Sequence, residues 1–200
     1  LGKVAVDDPQ SASLLPGWRQ QPGMLGLRLT FLQPGQAGWP TDGTMDWFWP
    51  AAEEAGVPVA LMASNFLPTV GQVAERHPGL KLIVDHLGRP SGPRNASTWD
   101  SLPALLALAR HPNVAVKATG APSYSSGPYP YNDIHDYIHQ IFDAFGPSRT
   151  FWGTDITRMP CPWSQCVSLF TEELPWLSES DKELVMGRAV CDWLDWKLPA

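Results

Sequence analysis

The sequence predicts a parallel α/β fold of the (β/α)₈ TIM-barrel type, incomplete, with about six strands present and helices at the C-terminal end. Three observations carry that prediction. Short apolar runs without helical period recur and end abruptly in polar residues, most clearly in Lys81-Leu-Ile-Val-Asp-His-Leu-Gly-Arg89. A helix-like segment closed by a tight turn precedes each run, at His77-Pro-Gly79, His111-Pro-Asn113 and Gly146-Pro-Ser148. The unit repeats at 34 residues from Arg76 to Arg110 and 35 from Arg110 to Phe145, close to one βα unit of a barrel.

In chain order, strands are expected at residues 4–6, 25–31, 57–63, 82–84, 114–119 and 151–155. Pro58 near the start of the third fits the rule that a strand proline sits at its first residues. Helices are expected at 11–20, at 44–55 with Thr44 as cap and Gly56 as stop, at 66–76, and at 99–110 with leucines at 102, 105, 106 and 108. Asn132 or Asp133 is the expected cap of a helix running to Phe145. Residues 163–196 hold two or three more helices, one capped by Ser178 or Ser180. Helix-to-strand turns are short, whereas the strand-to-helix loops at 33–43, 87–98, 119–132 and 156–162 are long. Chemistry is therefore expected at the carboxyl ends of the strands. An open doubly wound sheet makes the same prediction, so the loops do not choose between the two folds.

Two hundred residues suit one domain, read here as residues 1–200 of a single barrel domain. A net charge of −6 with only 14 Lys and Arg disfavours nucleic acid as a partner. Ten Trp and 21 Pro imply an aromatic core with proline-stopped loops. Cys161, Cys166 and Cys191 form no C-x-x-C pair and read as reduced thiols of a cytoplasmic protein. No apolar run reaches the ~18 residues of a membrane span, and no signal peptide opens the chain. Asn95-Ala-Ser97 matches a glycosylation acceptor, read as chance. Leu1 followed at once by strand-like sequence suggests that the chain begins inside a fold.

The strand tips and adjoining loops hold Asp7, Asp8, His86, Arg89, Arg94, Lys117, Tyr124, Asp155 and Arg158, with Arg28 in mid-strand. This excess of cations in an acidic protein favours an anionic small-molecule substrate, most simply a carboxylate. Asp155, closing the run Phe-Trp-Gly-Thr, is either a helix cap or a general base that takes a proton from water. His86 is either a satisfied core histidine or a catalyst that polarises a carbonyl or hydrogen-bonds the attacking water. Lys117 either snorkels or neutralises a developing oxyanion. Arg28 either pairs with Asp7 or Asp8 or binds substrate, and Arg89 is a substrate-binding or a plain surface arginine. His77 and His111 read as structural. His135 and His139, at i and i+4, read as a solvated helix face in preference to a metal pair. Tyr124, Tyr129 and Tyr131 form either a lid or ordinary loop packing. No nucleophile elbow, P-loop or dinucleotide fingerprint is present.

At Val84-Asp-His-Leu-Gly-Arg89, Gly26-Leu-Arg-Leu29 and Phe151-Trp-Gly-Thr-Asp155 the chain resembles the amidohydrolase-related family of the amidohydrolase superfamily, in its lactonase branch. The resemblance runs over essentially the whole chain and implies that the strands present are barrel strands three to eight. It implies His86 as the strand-six histidine, Asp155 as the strand-eight aspartate, Arg28 as a substrate-carboxylate arginine and Arg89 as the arginine after the histidine. Lys117 falls where that branch carries a basic residue. The family's His-x-His on its first strand has no counterpart here, and residues 59–64 carry no histidine where metal-dependent members place a ligand.

The resemblance therefore implies hydrolysis of a lactone of a small carboxylated substrate. Catalysis falls to Asp155, His86 and Lys117, substrate binding to Arg28, Arg89 and Tyr124, and no cofactor is expected. The alternatives are a decarboxylase or amidohydrolase using a single divalent ion, zinc or manganese, held partly by Asp155, and an inactive truncated barrel with an open sheet edge. Assembly into a homo-oligomer is left open by the residues.

Overall fold

A computed structural model describes residues 1–90, 94 and 96–197. The glycosylation-like motif begins at Asn95, outside the described residues. Five parallel strands form one sheet: β1 (Leu27–Leu29), β2 (Val59–Leu61), β3 (Leu82–Val84), β4 (Val114–Thr119) and β5 (Thr150–Gly153). Their spatial order is their sequence order, so each crossover returns the chain to the neighbouring position. That winding is a barrel's; a doubly wound sheet reverses direction at a switch point.

The strand expected at residues 4–6 is absent. The chain there makes one parallel bridge, Gly2 to Leu27, and then turns away. The backbone explains the short contact: Gly2 donates to Gly26 O and accepts from Arg28 N. Trp18, donating its indole N–H to the same Gly26 carbonyl, fills the space beside Gly2, where a Cβ would lie 2.5 Å from its ring.

Between the strands run α1 (Phe48–Glu54), α2 (Leu67–Arg76), α3 (Leu102–Leu106) and α4 (His135–Phe145); α5 (Trp163–Thr171), α6 (Glu179–Glu183) and α7 (Ala189–Trp193) follow β5. Several expected helices are broken. Residues 11–20 form two 3₁₀ pieces, Pro9–Leu14 and Trp18–Gln20, and residues 99–110 are split among 3₁₀ and α turns. Thr44 caps nothing, since α1 begins only at Phe48, with Trp47 at the cap position. Asp133 does not cap α4; its carboxylate holds the Ser125 and Ser126 loop instead. Ser178 does cap α6, in a capping box with Asp181.

Strand register sorts side chains by parity into two faces. Leu27, Leu29, Val59, Leu61, Leu82, Val84, Val114 and Val116 point to the larger core beneath the helices. Ala60, Ile83, Ala115 and Phe151 point the other way, into a smaller cluster with Ala189, Leu194 and Trp193, so α7 plugs the amino end of the inner face. Arg28 is in register with Ala60, and Lys117 with Phe151. Asp85, Thr119 and Asp155 continue the same parity at the carboxyl ends. The inner face is therefore apolar below and charged above.

Candidate active site

Three strand tips carry side-chain-bearing residues in the left-handed region: Phe31 (φ 51°) after β1, His86 (φ 55°) and Leu87 (φ 54°) after β3, and Asp155 (φ 55°) after β5. Such conformations cost on the order of 1–3 kcal/mol each and cluster where side chains must be aimed. Gly88 (φ 62°) completes a run of three left-handed residues at the β3 tip. Arg89 holds that run. Its Nε donates to Leu87 O at 2.9 Å and its Nη1 to Thr98 O at 3.2 Å, while the guanidinium lies over the Trp99 ring.

Arg89 is only 2% exposed, and burial depresses its pKa to about 10. It is thus not a surface arginine, which corrects that expectation; its guanidinium lies in the wall behind the site. The Leu87 carbonyl of the turn, the Thr98 carbonyl of the following 3₁₀ turn and the Trp99 ring hold it in the wall.

Asp85 occupies the centre. Its side chain is 1% exposed, with Arg28 Nε donating to Oδ2 at 2.6 Å and Lys117 Nζ 2.8 Å from Oδ1. Burial alone would raise its pKa; Lys117 and Arg28 together overcome that and hold it below 3.8. Arg28 therefore pairs with Asp85. Asp7 lies exposed at a turn, and Asp8 caps the 3₁₀ helix from Pro9.

His86 joins the cluster on both ring nitrogens. Arg28 Nη2 lies 3.3 Å from Nε2, and Thr119 Oγ1 lies 2.7 Å from Nδ1. Arginine can only donate, so Nε2 accepts and the ring proton sits on Nδ1, donated to Thr119. Burial lowers the His86 pKa from 6.5, with Arg28 and Arg158 adding to that effect against Asp85 and Asp155, so the ring is neutral near pH 7. Thr119 has room for this role because Gly153 lies beside it: a Cβ there would approach Thr119 Cγ2 to 2.6 Å.

Asp155 Oδ2 lies 3.9 Å from His86 Nε2, beyond hydrogen-bond reach, and accepts from Arg158 Nη1 at 3.3 Å. Tyr124 is buried behind it, packed edge-on against Trp99. Burial raises the Tyr124 phenol to about 12, although Arg158 and Arg89 nearby pull it down. Beside Arg28 a cleft of about 130 Å³ opens between Lys3, Phe31, Gln33, Gln36 and Trp39.

The structure thus brings Arg28, His86, Lys117 and Asp155 together, with Tyr124 and Arg89 one layer behind. Asp85 and Thr119 carry roles that the sequence reading did not give them, and Arg158 appeared there without one. Inward parity with Ile83 and Lys117 was the available signal for the first two. Arg94 is exposed. Tyr129 and Tyr131 are tied to Ser168, Glu173 and Gln165, so they pack as loop and not as a free lid. His135 bonds Pro130 O and His139 stacks on Trp176, which does not make them a metal pair. His77 and His111 are structural: His77 pairs with Glu53, and His111 is buried beside Arg110.

The alternative left open by the sequence is a single divalent ion held partly by Asp155. Among the described residues no set of three His, Cys, Asp or Glu converges. His86 and Asp155 would supply two ligands, but Arg28 faces the imidazole lone pair and Arg158 the carboxylate oxygen. The residues present do not fit a divalent ion.

One expected outcome concerns Thr119. Thr119→Val removes the acceptor of the Nδ1 proton and frees the ring, and should lower kcat on the order of 10- to 100-fold with little change in KM. Thr119→Ser should restore most of it; a valine variant with unchanged kcat would contradict this role.

Sequential parallel strands with a carboxylate, an imidazole and cations at their carboxyl ends define a barrel-type α/β protein of the kind that performs chemistry at that rim. The chain belongs to the amidohydrolase family, whose model matches residues 1–188. It is 32% identical over 123 residues to an L-fucono-1,5-lactonase of Burkholderia ambifaria. That stretch covers 60% of this chain and 39% of the lactonase, well under two thirds of the relative's length. An amidohydrolase from Burkholderia multivorans, solved with bound zinc, superposes with a TM-score of 0.79 at 21% identity, over 100% of this chain and 73% of that one. A candidate 2-pyrone-4,6-dicarboxylic acid hydrolase from Pseudomonas putida gives a TM-score of 0.70 at 20% identity, over 94% of this chain and 69% of that one. No helix among the described residues is long and apolar enough to cross a membrane.

Proposed function

We propose that this protein hydrolyses the cyclic ester of a small carboxylated molecule. The observation that carries the reading is the strand-tip carboxylate of Asp155, partly exposed and 3.9 Å from the His86 ring, in a cluster that also holds Arg28, Lys117 and Arg158. A water hydrogen-bonded to Asp155 can give up a proton to it and keep a lone pair free for attack, while the Nε2 lone pair of His86 stays engaged by Arg28. The likeness to a curated lactonase supports the choice of a cyclic ester over an amide.

In this mechanism Asp155 accepts a proton as the water oxygen bonds to the lactone carbonyl carbon. Lys117 faces the oxyanion that forms. The ring C–O bond then breaks, and the leaving alkoxide takes the proton back from Asp155. His86, held by Thr119, positions Arg28 beside the water. Its neutral tautomer offers no N–H toward the mouth, so polarising the carbonyl falls to Lys117. Arg28, whose guanidinium is partly exposed, and Arg158 with Tyr124 behind it hold the substrate carboxylate.

A panel of five- and six-membered lactones with and without a carboxylate, alongside matched lactams, tests the reading. Turnover should be confined to lactones and favour the carboxylated ones. Turnover of lactams, or activity that chelation removes and zinc or manganese restores, would overturn it in favour of metal-dependent amide hydrolysis or decarboxylation.

A further inference from the structure

We propose that Cys161 and Cys166 form a reversible thiol–disulfide site on the loop that carries Asp155 and Arg158, with a small hydroperoxide as oxidant. Their sulfurs lie 3.6 Å apart, both as free thiols. A disulfide needs about 2.05 Å, so each sulfur has to travel roughly 0.8 Å, within the range of a side-chain adjustment.

The two positions differ in ways that suit separate steps. Cys161 is partly exposed, in irregular backbone between Pro160 and Pro162, downstream of the 3₁₀ turn Ile156–Arg158. Cys166 is buried in the first turns of α5, and Trp152 Nε1 fixes its carbonyl at 3.1 Å. An oxidant from solvent therefore meets Cys161 first, while Cys166 waits on a rigid helix. Burial, with Cys161 beside it, raises the Cys166 thiol to about 11, which keeps it protonated and unreactive alone. Tyr131, whose phenol donates to Gln165 Oε1 at 2.8 Å, also contacts Cys161. The five-residue spacing resembles no redox motif in sequence; the start of α5 brings the pair together.

The chemistry balances in two steps. The Cys161 sulfur attacks the distal oxygen of a hydroperoxide, the O–O bond breaks, and an alcohol (or water, from hydrogen peroxide) leaves with a sulfenic acid on Cys161. The Cys166 sulfur then displaces that hydroxyl, forming the S–S bond, and its proton departs in the water produced. Two electrons pass from the thiols to the peroxide. A small thiol reverses the bond by exchange. The closed form ties residue 161 to α5 and so restrains the far end of the loop that begins at Asp155.

The test is mass spectrometry of the whole purified protein after stoichiometric hydrogen peroxide, alkylation and trypsin digestion. The peptide spanning residues 159–182 should lose both alkylation sites and be lighter by two hydrogens, Cys191 should remain alkylated, and a dithiol reductant should restore both sites. With Cys161→Ser, Cys166 should stay fully alkylated under the same treatment. Full alkylation of both cysteines after oxidation, accumulation of Cys161 sulfinic acid beside alkylated Cys166, or linkage of either to Cys191 or a second chain would each overturn the proposal. None of these outcomes depends on lactone turnover.

Discussion

Replacing Asp155 by Asn should lower kcat for the preferred lactone by about 10²- to 10⁴-fold, the usual contribution of a positioned general base. The substitution is nearly isosteric, and the side chain is 31% exposed with one long contact to Arg158, so the fold has little to lose. An amide cannot take a proton from water, yet it can still hydrogen-bond it, so KM should change far less than kcat. The same residue sits in a left-handed conformation that Asn tolerates well. A thermal midpoint near that of the parent, together with the lost turnover, separates loss of the base from loss of structure. Retained turnover would reject the assignment.

The second large effect belongs to the buried ion triad. Lys117→Met leaves the Asp85 carboxylate enclosed with Arg28 alone, and should destabilise the protein by about 3 kcal/mol, the low end for breaking a buried pair, because one cation remains. Adding Asp85→Asn to that variant should recover much of the loss, since the charge needing compensation is then gone. Acid provides an independent check. Asp85 has a folded pKa below its unfolded value of 3.8, so its contribution is complete above that pH and disappears as pH falls through the lower folded value. The stability gap between parent and Asp85→Asn should therefore be constant above about pH 4 and shrink below it. Urea titrations over that range measure it. A Lys117→Met protein as stable as the parent near neutral pH, or a gap that widens on acidification, would contradict the triad's role.

The period of the chain was legible because each buried strand must be apolar on both faces and each returning helix must stop sharply. β4 has the bounds its apolar run announces, Val114–Thr119, and α2 ends at Arg76 before its His-Pro turn. Less was readable where local sequence and packing compete. Val4 and Val6 look like strand, but Trp18 and Met24 crowd Gly2 and the backbone leaves β1 after a single bridge. Leucine spacing over residues 99–110 spells a helix, while tertiary contacts divide it into 3₁₀ and α turns.

At the site, charged residues on strand tips could be recognised but not paired. Arg28 facing Asp85, and not Asp7 or Asp8, depends on inter-strand register, which one chain's sequence leaves free. Arg89 illustrates the opposite limit. Its direction follows from three consecutive left-handed residues that present the Leu87 carbonyl to its guanidinium, and nothing in Asp-His-Leu-Gly-Arg announces that turn except the glycine.

The central claim is that Asp155 activates water and forms no bond to substrate. A single turnover with enzyme in excess, run in ¹⁸O-water and followed by mass spectrometry of product and peptides, examines it directly. Label confined to the new product carboxylate, with the peptide bearing Asp155 unlabelled, is the predicted result. Label recovered in the Asp155 side chain would show a covalent acyl intermediate there and contradict the account.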